Sequence, residues 1–208
     1  MGGDDAMRWP PASEPLIGST VRLEPITPTH HDPLLAVSRE PETWTWIDRR
    51  VPEAEAAFTA WFETRLAASR TGQEWCYVTL SAASGATIGS SSYLAVRPEH
   101  DGLEIGWTWL HPSAWRTGAN VDAKLLMLAN AFGRLGCMRV EFKTDARNKR
   151  SRAALEALPA NFEGIFRKHM KTPVVGVRDS AYFSVVDDDW PAVRENLEAR
   201  AARAGAHA

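Results

Sequence analysis

The sequence predicts a single α/β domain in which a mixed, mostly antiparallel sheet is flanked by helices. The chain has 208 residues, which is enough to bury one substantial core. Residues 74–81 and 87–96 read as two strands joined by a turn at Ser84 and Gly85, which is typical of an antiparallel hairpin. Amphipathic segments such as residues 53–70 are inserted between strands, and this order favours a mixed sheet over a doubly wound parallel one.

The first half of the chain begins with a polar segment, residues 1–14, that we interpret as a flexible tail. Alternation from Thr20 to Ile26 then predicts a strand, and residues 29–39 predict a short helix. The remaining elements of this half are predicted at residues 53–70 (helix) and at residues 74–81, 87–96 and 103–110 (strands).

The second half opens with an apolar helix at residues 123–132. Residues 139–144 alternate apolar and charged side chains, as a half-exposed strand does. The remaining elements are predicted at residues 151–158 (helix), 162–170 and 180–186 (strands) and 190–204 (a polar helix). We therefore place the folded domain at residues 15–190, followed by a C-terminal helix and tail at residues 191–208.

Composition argues against several classes of function. The formal net charge of -2 gives no reason to propose nucleic-acid binding. The longest apolar stretch, residues 125–131, falls far short of the roughly 20 residues that span a bilayer, and the polar N-terminus lacks the apolar run of a signal peptide. Cys76 and Cys137 are isolated, so neither a disulfide framework nor a zinc site is indicated. We expect a cytoplasmic enzyme that needs no metal.

The stretch from Trp115 to Lys124 carries the strongest chemical signal. Gly118 allows a tight turn, and the chain then runs directly into the apolar helix. The first N–H groups of a helix have no partner within it and lie at the positive end of its dipole, so such a junction can bind a pyrophosphate. Taken alone, one glycine before a helix is more often a plain turn.

A second junction follows about twenty residues later, at Asn148 and Ser151. Both residue types start helices readily, and here they open the segment predicted at residues 151–158. A simple helix cap explains either residue taken alone.

Together these segments resemble the acyl-CoA site of the GNAT N-acetyltransferase superfamily, in particular its RimJ/RimL-like branch. The resemblance covers about residues 16–190 and is carried by motifs in a fixed order: residues 21–25, 104–112, 115–124, 148–151, 162–167, 178–184 and 189–191. The sequence departs from the family pattern at three positions. Trp115 replaces the usual Gln or Arg, Asn120 replaces a small residue, and Pro159 replaces a helix-ending glycine.

The resemblance implies acetyl-CoA as the acyl donor and a sheet that splays between the strand ending at Leu110 and the strand starting near Arg139. Pantetheine would lie in that gap, with pyrophosphate on residues 118–120 and Asp122 pointing away from it. The implied cofactor-binding residues are Trp109, Leu110, Arg116, Thr117, Gly118, Ala119, Asn120, Asn148 and Ser151. The basic residues Arg147, Lys149, Arg150 and Arg152 either bind the adenosine phosphate or form a solvated turn.

The same resemblance assigns the chemistry. It places Ser151 as the donor to the departing sulfur. Some relatives carry a glutamate base at the position of Met170, so we take Glu104 as the base here, with an exposed strand carboxylate as the alternative. His169 and a water chain are the other candidates. These two assignments, Ser151 and Glu104, are the predicted catalytic residues.

Trp44 and Trp46 fall in a region that lines the acceptor pocket in this family. Alternation would present both rings on one side, towards a flat or apolar acceptor, and core packing is the alternative. Three functions remain open: acetylation of a small-molecule amine, acetylation of a protein N-terminus, and acyl-CoA binding without catalysis. The expected partners are a small-molecule or peptide amine, with a homodimer compatible with the sequence.

Overall fold

The computed structural model describes residues 7–47, 51, 53–172 and 176–205, and within them one eight-stranded sheet forms the centre of the fold. The strands are β1 (Leu16–Ile17), β2 (Val21–Pro25), β3 (Trp75–Ser81), β4 (Thr87–Arg97), β5 (Gly102–Leu110), β6 (Arg139–Asp145), β7 (Asn161–Thr172) and β8 (Gly176–Val186). They lie in the order β1-β2-β3-β4-β5-β6-β8-β7. Neighbouring strands are antiparallel except for β5 and β6, which are parallel. The predicted mixed sheet is thereby confirmed.

Helices cover both faces of the sheet. They are α1 (His31–Val37), α2 (Pro41–Trp44), α3 (Glu55–Arg70), α4 (Ala119–Ala129), α5 (Lys149–Ala157) and α6 (Trp190–Gly205). Short 3-10 turns lie at Pro28–His30, Pro98–His100 and Pro112–Ala114, and α4 continues as a π-helical segment at Asn130–Leu135. In the described part of the chain, none of these helices is long and apolar enough to cross a membrane.

Alternation along the strands divides the buried side chains into two cores. Tyr77 of β3 belongs to the main core, which packs against α4, α5 and α6. Its neighbours Cys76 and Val78 point to the other face and pack with α1, α2 and α3. A period of two is what a strand imposes, so every strand of this sheet supplies side chains to opposite faces.

Residues 7–9, which the sequence predicted to lie in a flexible tail, contact the folded domain. Met7 donates its backbone N–H to Asp101 Oδ1 (2.9 Å), and the Trp9 indole N–H donates to the Gly72 carbonyl (2.7 Å). The Trp9 ring also meets Tyr93 edge-on at 6.2 Å between centroids. Residues 7–9 are therefore held against the domain, because an apolar residue and an indole gain burial that a polar tail would not.

Helix α6 is a packed element with a narrow apolar stripe. Val193, Leu197 and Ala201 recur every four residues and are buried against α4, although most other positions of α6 are polar. Its last turn reaches the start of α4. A β-carbon added at Gly118 would lie 2.5 Å from Ala204 Cβ.

Asp122 fixes the first turn of α4 to the edge of the sheet. Its carboxylate is 2 % exposed, and Oδ2 accepts the backbone N–H groups of Thr20 (2.6 Å) and Val21 (2.9 Å) at the start of β2. Each charge-assisted bond of this kind contributes about 1.5 to 3 kcal/mol. The carboxylate is thus engaged away from the loop before α4, as expected.

Candidate active site

The site is built on a gap between the two parallel strands. Strands β5 and β6 pair at three positions, the last being Glu104 with Glu141, after which their pairing ends. Strand β5 nevertheless continues to Leu110 and β6 to Asp145, each still paired on its outer side with β4 or β8. The inner edges beyond Glu104 therefore present backbone N–H and C=O groups to a wedge, where an extended amide ligand can pair with them. This is the predicted splay.

A bulge accompanies the gap on β5. Trp107 has φ of 48°, and the register between β4 and β5 shifts between Ser90 and Ser92. A bulge adds one residue to one strand and re-aims the side chains that follow it. Thr108 consequently faces the α4 side of the sheet, while Glu104 faces the side covered by α3.

Both helices that follow the gap strands begin at its open end. Because β5 and β6 run parallel, their carboxyl ends meet at one edge, and α4 follows β5 while α5 follows β6. Gly118 is the N-cap of α4 and has φ of 90°, a conformation that favours glycine. Two helix N-termini therefore lie beside the mouth of the wedge, where their dipoles favour an anion.

Trp115, which stands where the family usually has Gln or Arg, fixes the position of the loop before α4. Its indole N–H donates to the Leu110 carbonyl (2.8 Å), which ties the loop to the end of β5. The Arg150 guanidinium lies 3.8 Å from the centroid of the Trp115 ring, within cation–π range. Thr117 adds a bond from its hydroxyl to the Ala114 carbonyl (2.8 Å). The loop is thus held from both gap strands, because Arg150 follows β6.

Glu104 lies at the apex of the wedge, at the last β5–β6 pair. Its side chain is almost wholly buried, and Oε2 lies 3.0 Å from Lys143 Nζ on β6. Burial raises the pKa of Glu104 above its usual value, and the Lys143 ammonium opposes that rise. A carboxyl group with an elevated pKa is a better proton acceptor, which is the property a general base needs.

Asn148 and Ser151 open α5 in different ways. The Asn148 side chain accepts the backbone N–H of Ser151 (3.1 Å), so Asn148 is the helix cap. The Ser151 hydroxyl has no hydrogen-bond partner among the described residues, and the side chain is half-buried in the first turn of α5. Ser151 is therefore free to donate to a ligand at the gap mouth.

The four basic residues near α5 differ in whether their side chains already have hydrogen-bond partners. Arg147 binds Asp145 through two guanidinium bonds (2.9 and 2.8 Å), and these bonds hold the pKa of Asp145 below its usual value. Arg152 donates to the Ala146 carbonyl (3.3 Å). Arg147, Lys149 and Arg150 all line a pocket of about 340 Å³. Lys149 and Arg150 are the better placed to bind a phosphate, because the Arg147 guanidinium is already paired with Asp145.

The structure separates the two tryptophans of the predicted acceptor wall. Trp44 has no exposed surface, donates its indole N–H to the Ser38 carbonyl (2.8 Å) and packs 4.8 Å from Trp109. Trp46 is half-buried and lines the same pocket as Lys149 and Arg150. The predicted alternation does not hold, because Trp44 is the last residue of helix α2 and Trp46 lies in the turn that follows, so neither belongs to a strand. Trp44 is a core residue, and an acceptor contact is kept for Trp46.

Trp109 and Leu110 line the gap mainly through their backbone. Trp109 is 3 % exposed and packs in the α3-side core, while Leu110 is buried in the main core. The Leu110 carbonyl already accepts from Trp115. The two side chains therefore pack on opposite faces of the sheet, and the backbone of these residues borders the wedge.

Sequence reasoning missed Arg178, whose charge acts on Glu104, and named His169 only as an alternative base. Arg178 on β8 is half-buried, and its Nε is buried without a hydrogen-bond partner among the described residues. His169 on β7 contacts Ser180 Oγ (3.0 Å) and Tyr182 Oη (3.2 Å), and burial together with Lys143 lowers the pKa of its imidazole. The alternation of side chains on β6 and β8 is visible in the sequence, but the strand register that brings Lys143 and Arg178 close to Glu104 is not.

Among the residues that the structure describes, no group of three or more His, Cys, Asp and Glu side chains is placed to hold a metal ion. A groove of about 580 Å³ lies away from the gap, on β2 and the end of α3, and is lined by residues such as Arg22 and Trp75. It contains none of the predicted site residues.

Comparison with known proteins identifies this arrangement. The family described as "Acetyltransferase (GNAT) domain" matches residues 20–160. A GCN5-related N-acetyltransferase from Brucella melitensis is 31% identical, covers 94% of this chain and 89% of its own, and has a TM-score of 0.85. A probable GNAT-family acetyltransferase from Chromobacterium violaceum ATCC 12472 is 28% identical, with coverages of 91% and 93% and a TM-score of 0.79.

More distant structures share the fold alone. RimJ from Mycobacterium smegmatis, solved in complex with CoA-disulfide, is 19% identical, with coverages of 92% and 95% and a TM-score of 0.75. No curated protein sequence matches the chain.

Proposed function

The chain belongs to the GNAT family of acetyl-CoA-dependent N-acetyltransferases, and from that premise we propose that its acceptor is the primary amine of a small molecule. The observation that carries the proposal is the position of Glu104. Its carboxylate is 4 % exposed at the apex of the β5–β6 wedge, so an acceptor must bring a slender amine down to it. An amino acid, an aminoacyl-nucleotide or an antibiotic amine meets that requirement, and so does a peptide N-terminus, which is the second candidate below.

In this proposal the wedge holds the acyl donor, which supplies the thioester that the amine attacks. The fit rests on three features of the chain: unpaired inner edges on β5 and β6, the left-handed Gly118 turn, and the two helix N-termini at the mouth. Gly118, Ala119 and Asn120 would bind the pyrophosphate through backbone N–H groups, with Arg116 and Thr117 beside them. Lys149 and Arg150 would bind the adenosine phosphate.

Proton movement is assigned to two side chains. Glu104 would accept the proton of the attacking amine, directly or through a water molecule, because it is buried and carries a raised pKa. Ser151 would donate its hydroxyl hydrogen towards the departing sulfur. His169 is a weaker base, because both ring nitrogens already have partners on β8.

Protein N-terminal acetylation is the second candidate, and it rests on the fold shared with RimJ. Incubation with acetyl-CoA and a library of small amines, in parallel with peptides of varied N-terminal sequence, separates the two by mass spectrometry. Turnover of small amines with at least tenfold higher kcat/KM supports the proposal. Turnover of peptides alone contradicts it, and binding of acetyl-CoA without any turnover identifies a non-catalytic protein.

Ser151→Ala is expected to lower kcat by about 10- to 100-fold while leaving the Kd for acetyl-CoA nearly unchanged. The hydroxyl is needed mainly as the sulfur gains charge, so its loss affects the transition state more than the ground state. Steady-state kinetics and calorimetric titration measure the two quantities. Asn148→Ala is the matched control: it removes the helix cap at a cost of about 1 kcal/mol in stability and leaves the hydroxyl in place.

Trp46→Ala is expected to raise the KM for the acceptor several-fold without changing the affinity for acetyl-CoA. The ring follows α2, in the region that the family resemblance assigns to the acceptor, and an aromatic wall contributes chiefly to ground-state binding. Because Lys149 and Arg150 line the same pocket as Trp46, a changed affinity for acetyl-CoA would assign the ring to the donor instead. Trp44→Ala is the contrasting variant, since truncation of a buried tryptophan costs about 3 to 5 kcal/mol of stability. An unchanged acceptor KM in Trp46→Ala would exclude that ring from the acceptor site.

A further inference from the structure

Lys124 is a buried cation that the proposed chemistry leaves unused. It lies on α4, is 6 % exposed, and its Nζ donates to Thr108 Oγ1 (2.8 Å) and more weakly to Ser91 Oγ (3.4 Å). Nζ also lies 5.7 Å from the centroid of the Phe142 ring. Among the described residues no carboxylate forms an ion pair with it. A lysine in this position is thus solvated by two hydroxyl groups and an aromatic face.

Its contacts place the ammonium group at the β5–β6 gap. Thr108 belongs to the part of β5 that has left β6, and Phe142 is the first residue of β6 beyond the last paired position. Nζ therefore spans the wedge from the α4 side. Glu104 approaches from the opposite face, because its neighbours Leu103 and Ile105 point towards α4.

A charge in this environment is costly unless an anion joins it. Burial lowers the pKa of Lys124 to about 7, so the ammonium and neutral amine are about equally populated near neutrality. A methionine of similar length would fill the same space without that cost. The presence of a lysine at this buried position is explained if an anion forms beside it during the reaction, because a neighbouring anion stabilises the ammonium form of the side chain.

We propose that Lys124 is the charge partner of the CoA sulfur: its ammonium stabilises the thiolate that forms when the acetyl group leaves. This rests on the proposed function. As the amine nitrogen bonds to the acetyl carbon, the C–S bond breaks and its electron pair remains on sulfur. Lys124 then gives one proton to that sulfur and becomes a neutral amine, which regains a proton from water. The proton stays on sulfur once CoA leaves the site, because a free thiol has a pKa of about 8.5.

The role differs from that of Ser151. The Ser151 hydroxyl supplies a neutral hydrogen bond at the mouth of the wedge, whereas Lys124 supplies a full charge from the α4 side of the sheet. A buried charge close to a thiol lowers the thiol pKa, and a neutral donor does so far less. The pKa of the bound CoA thiol therefore reports on Lys124 independently of catalysis.

The experiment titrates that thiol. The thiolate absorbance of CoA bound to the wild type is followed against pH, with desulfo-CoA as the blank. We expect the bound thiol to ionise about one to two pH units lower than free CoA. Lys124→Met should return it to the free value or above, while Ser151→Ala and the exposed-lysine control Lys171→Met should retain most of the shift. Circular dichroism confirms that each variant is folded.

The wild-type titration does not depend on any variant. Binding of CoA with a thiol that ionises as in free CoA overturns the role of Lys124 and leaves the proposed function standing. Failure of the wild type to bind CoA at millimolar concentration overturns both. Intact-mass analysis after incubation with acetyl-CoA adds a further outcome: stable acetylation of Lys124 contradicts the proposal, because an amide cannot carry the charge.

Discussion

Replacing Glu104 with glutamine is expected to lower kcat/KM by about 10²- to 10⁴-fold near neutral pH, the usual contribution of one positioned general base. The substitution keeps the shape of the side chain and its place at the last β5–β6 pair but removes its basicity. The bond to Lys143 weakens as well, since an amide oxygen is a poorer acceptor than a carboxylate.

The pH profile gives the sharper readout. Burial raises the pKa of Glu104, so the wild-type rate should rise with pH through a midpoint above the usual range of glutamate, where the basic form appears. In Glu104→Gln this limb should vanish, and the remaining rate should follow the deprotonation of the free amine at higher pH. Glu141→Gln is the control, because Glu141 faces Glu104 across the pair but binds Arg97 and Arg139. This variant should keep the limb and only lower its midpoint, because the Glu141 charge helps to raise the pKa of Glu104. A wild-type profile in Glu104→Gln would move the base to water or His169.

Gly118→Val should abolish the thermal stabilisation that acetyl-CoA gives to the wild type. At a ligand concentration about 1,000 times Kd, that stabilisation corresponds to roughly 4 kcal/mol. The valine would have to adopt φ of 90° at the N-cap of α4, where a branched side chain also crowds the backbone N–H groups proposed to bind phosphate. Scanning calorimetry with and without the ligand measures the effect.

The position of Ala204 complicates this variant and suggests its control. A β-carbon at Gly118 would meet Ala204 Cβ at 2.5 Å, so part of any loss of stability comes from displacing α6. Gly118→Ala and Gly118→Val are therefore compared in the background of Ala204→Gly, which removes the obstructing methyl group. Recovery of stability without recovery of the ligand-induced shift assigns the shift to the loop. Recovery of both would mean that the loop does not bind the phosphates.

Much of the fold could be predicted from the sequence because the patterns that specify its helices and strands are local. The strands of the sheet and the helices α3, α4 and α6 follow from alternation and from apolar periodicity. Strand β1 has two residues and α2 has four, which is too short for either pattern to register. The flexible tail was overestimated, because the partners of Met7 and Trp9 lie about 60 to 90 positions away in the chain.

The local geometry of the candidate site was predictable where it depends on backbone turns and helix caps, and less so where side chains from distant strands converge. Gly118 and Asn148 carry recognisable turn and cap chemistry, and both occupy the expected places. Trp44 and Trp46 could not be separated without knowing that a helix ends between them. Lys124 had a signal that went unused, since it is the one charged residue inside the apolar run that follows Asp122.

The short β5–β6 seam also bears on how long the protein survives in a cell. Three paired positions join a five-stranded plate to a three-stranded one, so few backbone hydrogen bonds oppose local opening between the two plates. A donor that pairs with both inner edges would close it, and proteases that cleave the opened form would then find less of it. We expect bound acetyl-CoA to lengthen the lifetime of the protein against proteases, which limited proteolysis with and without the ligand measures.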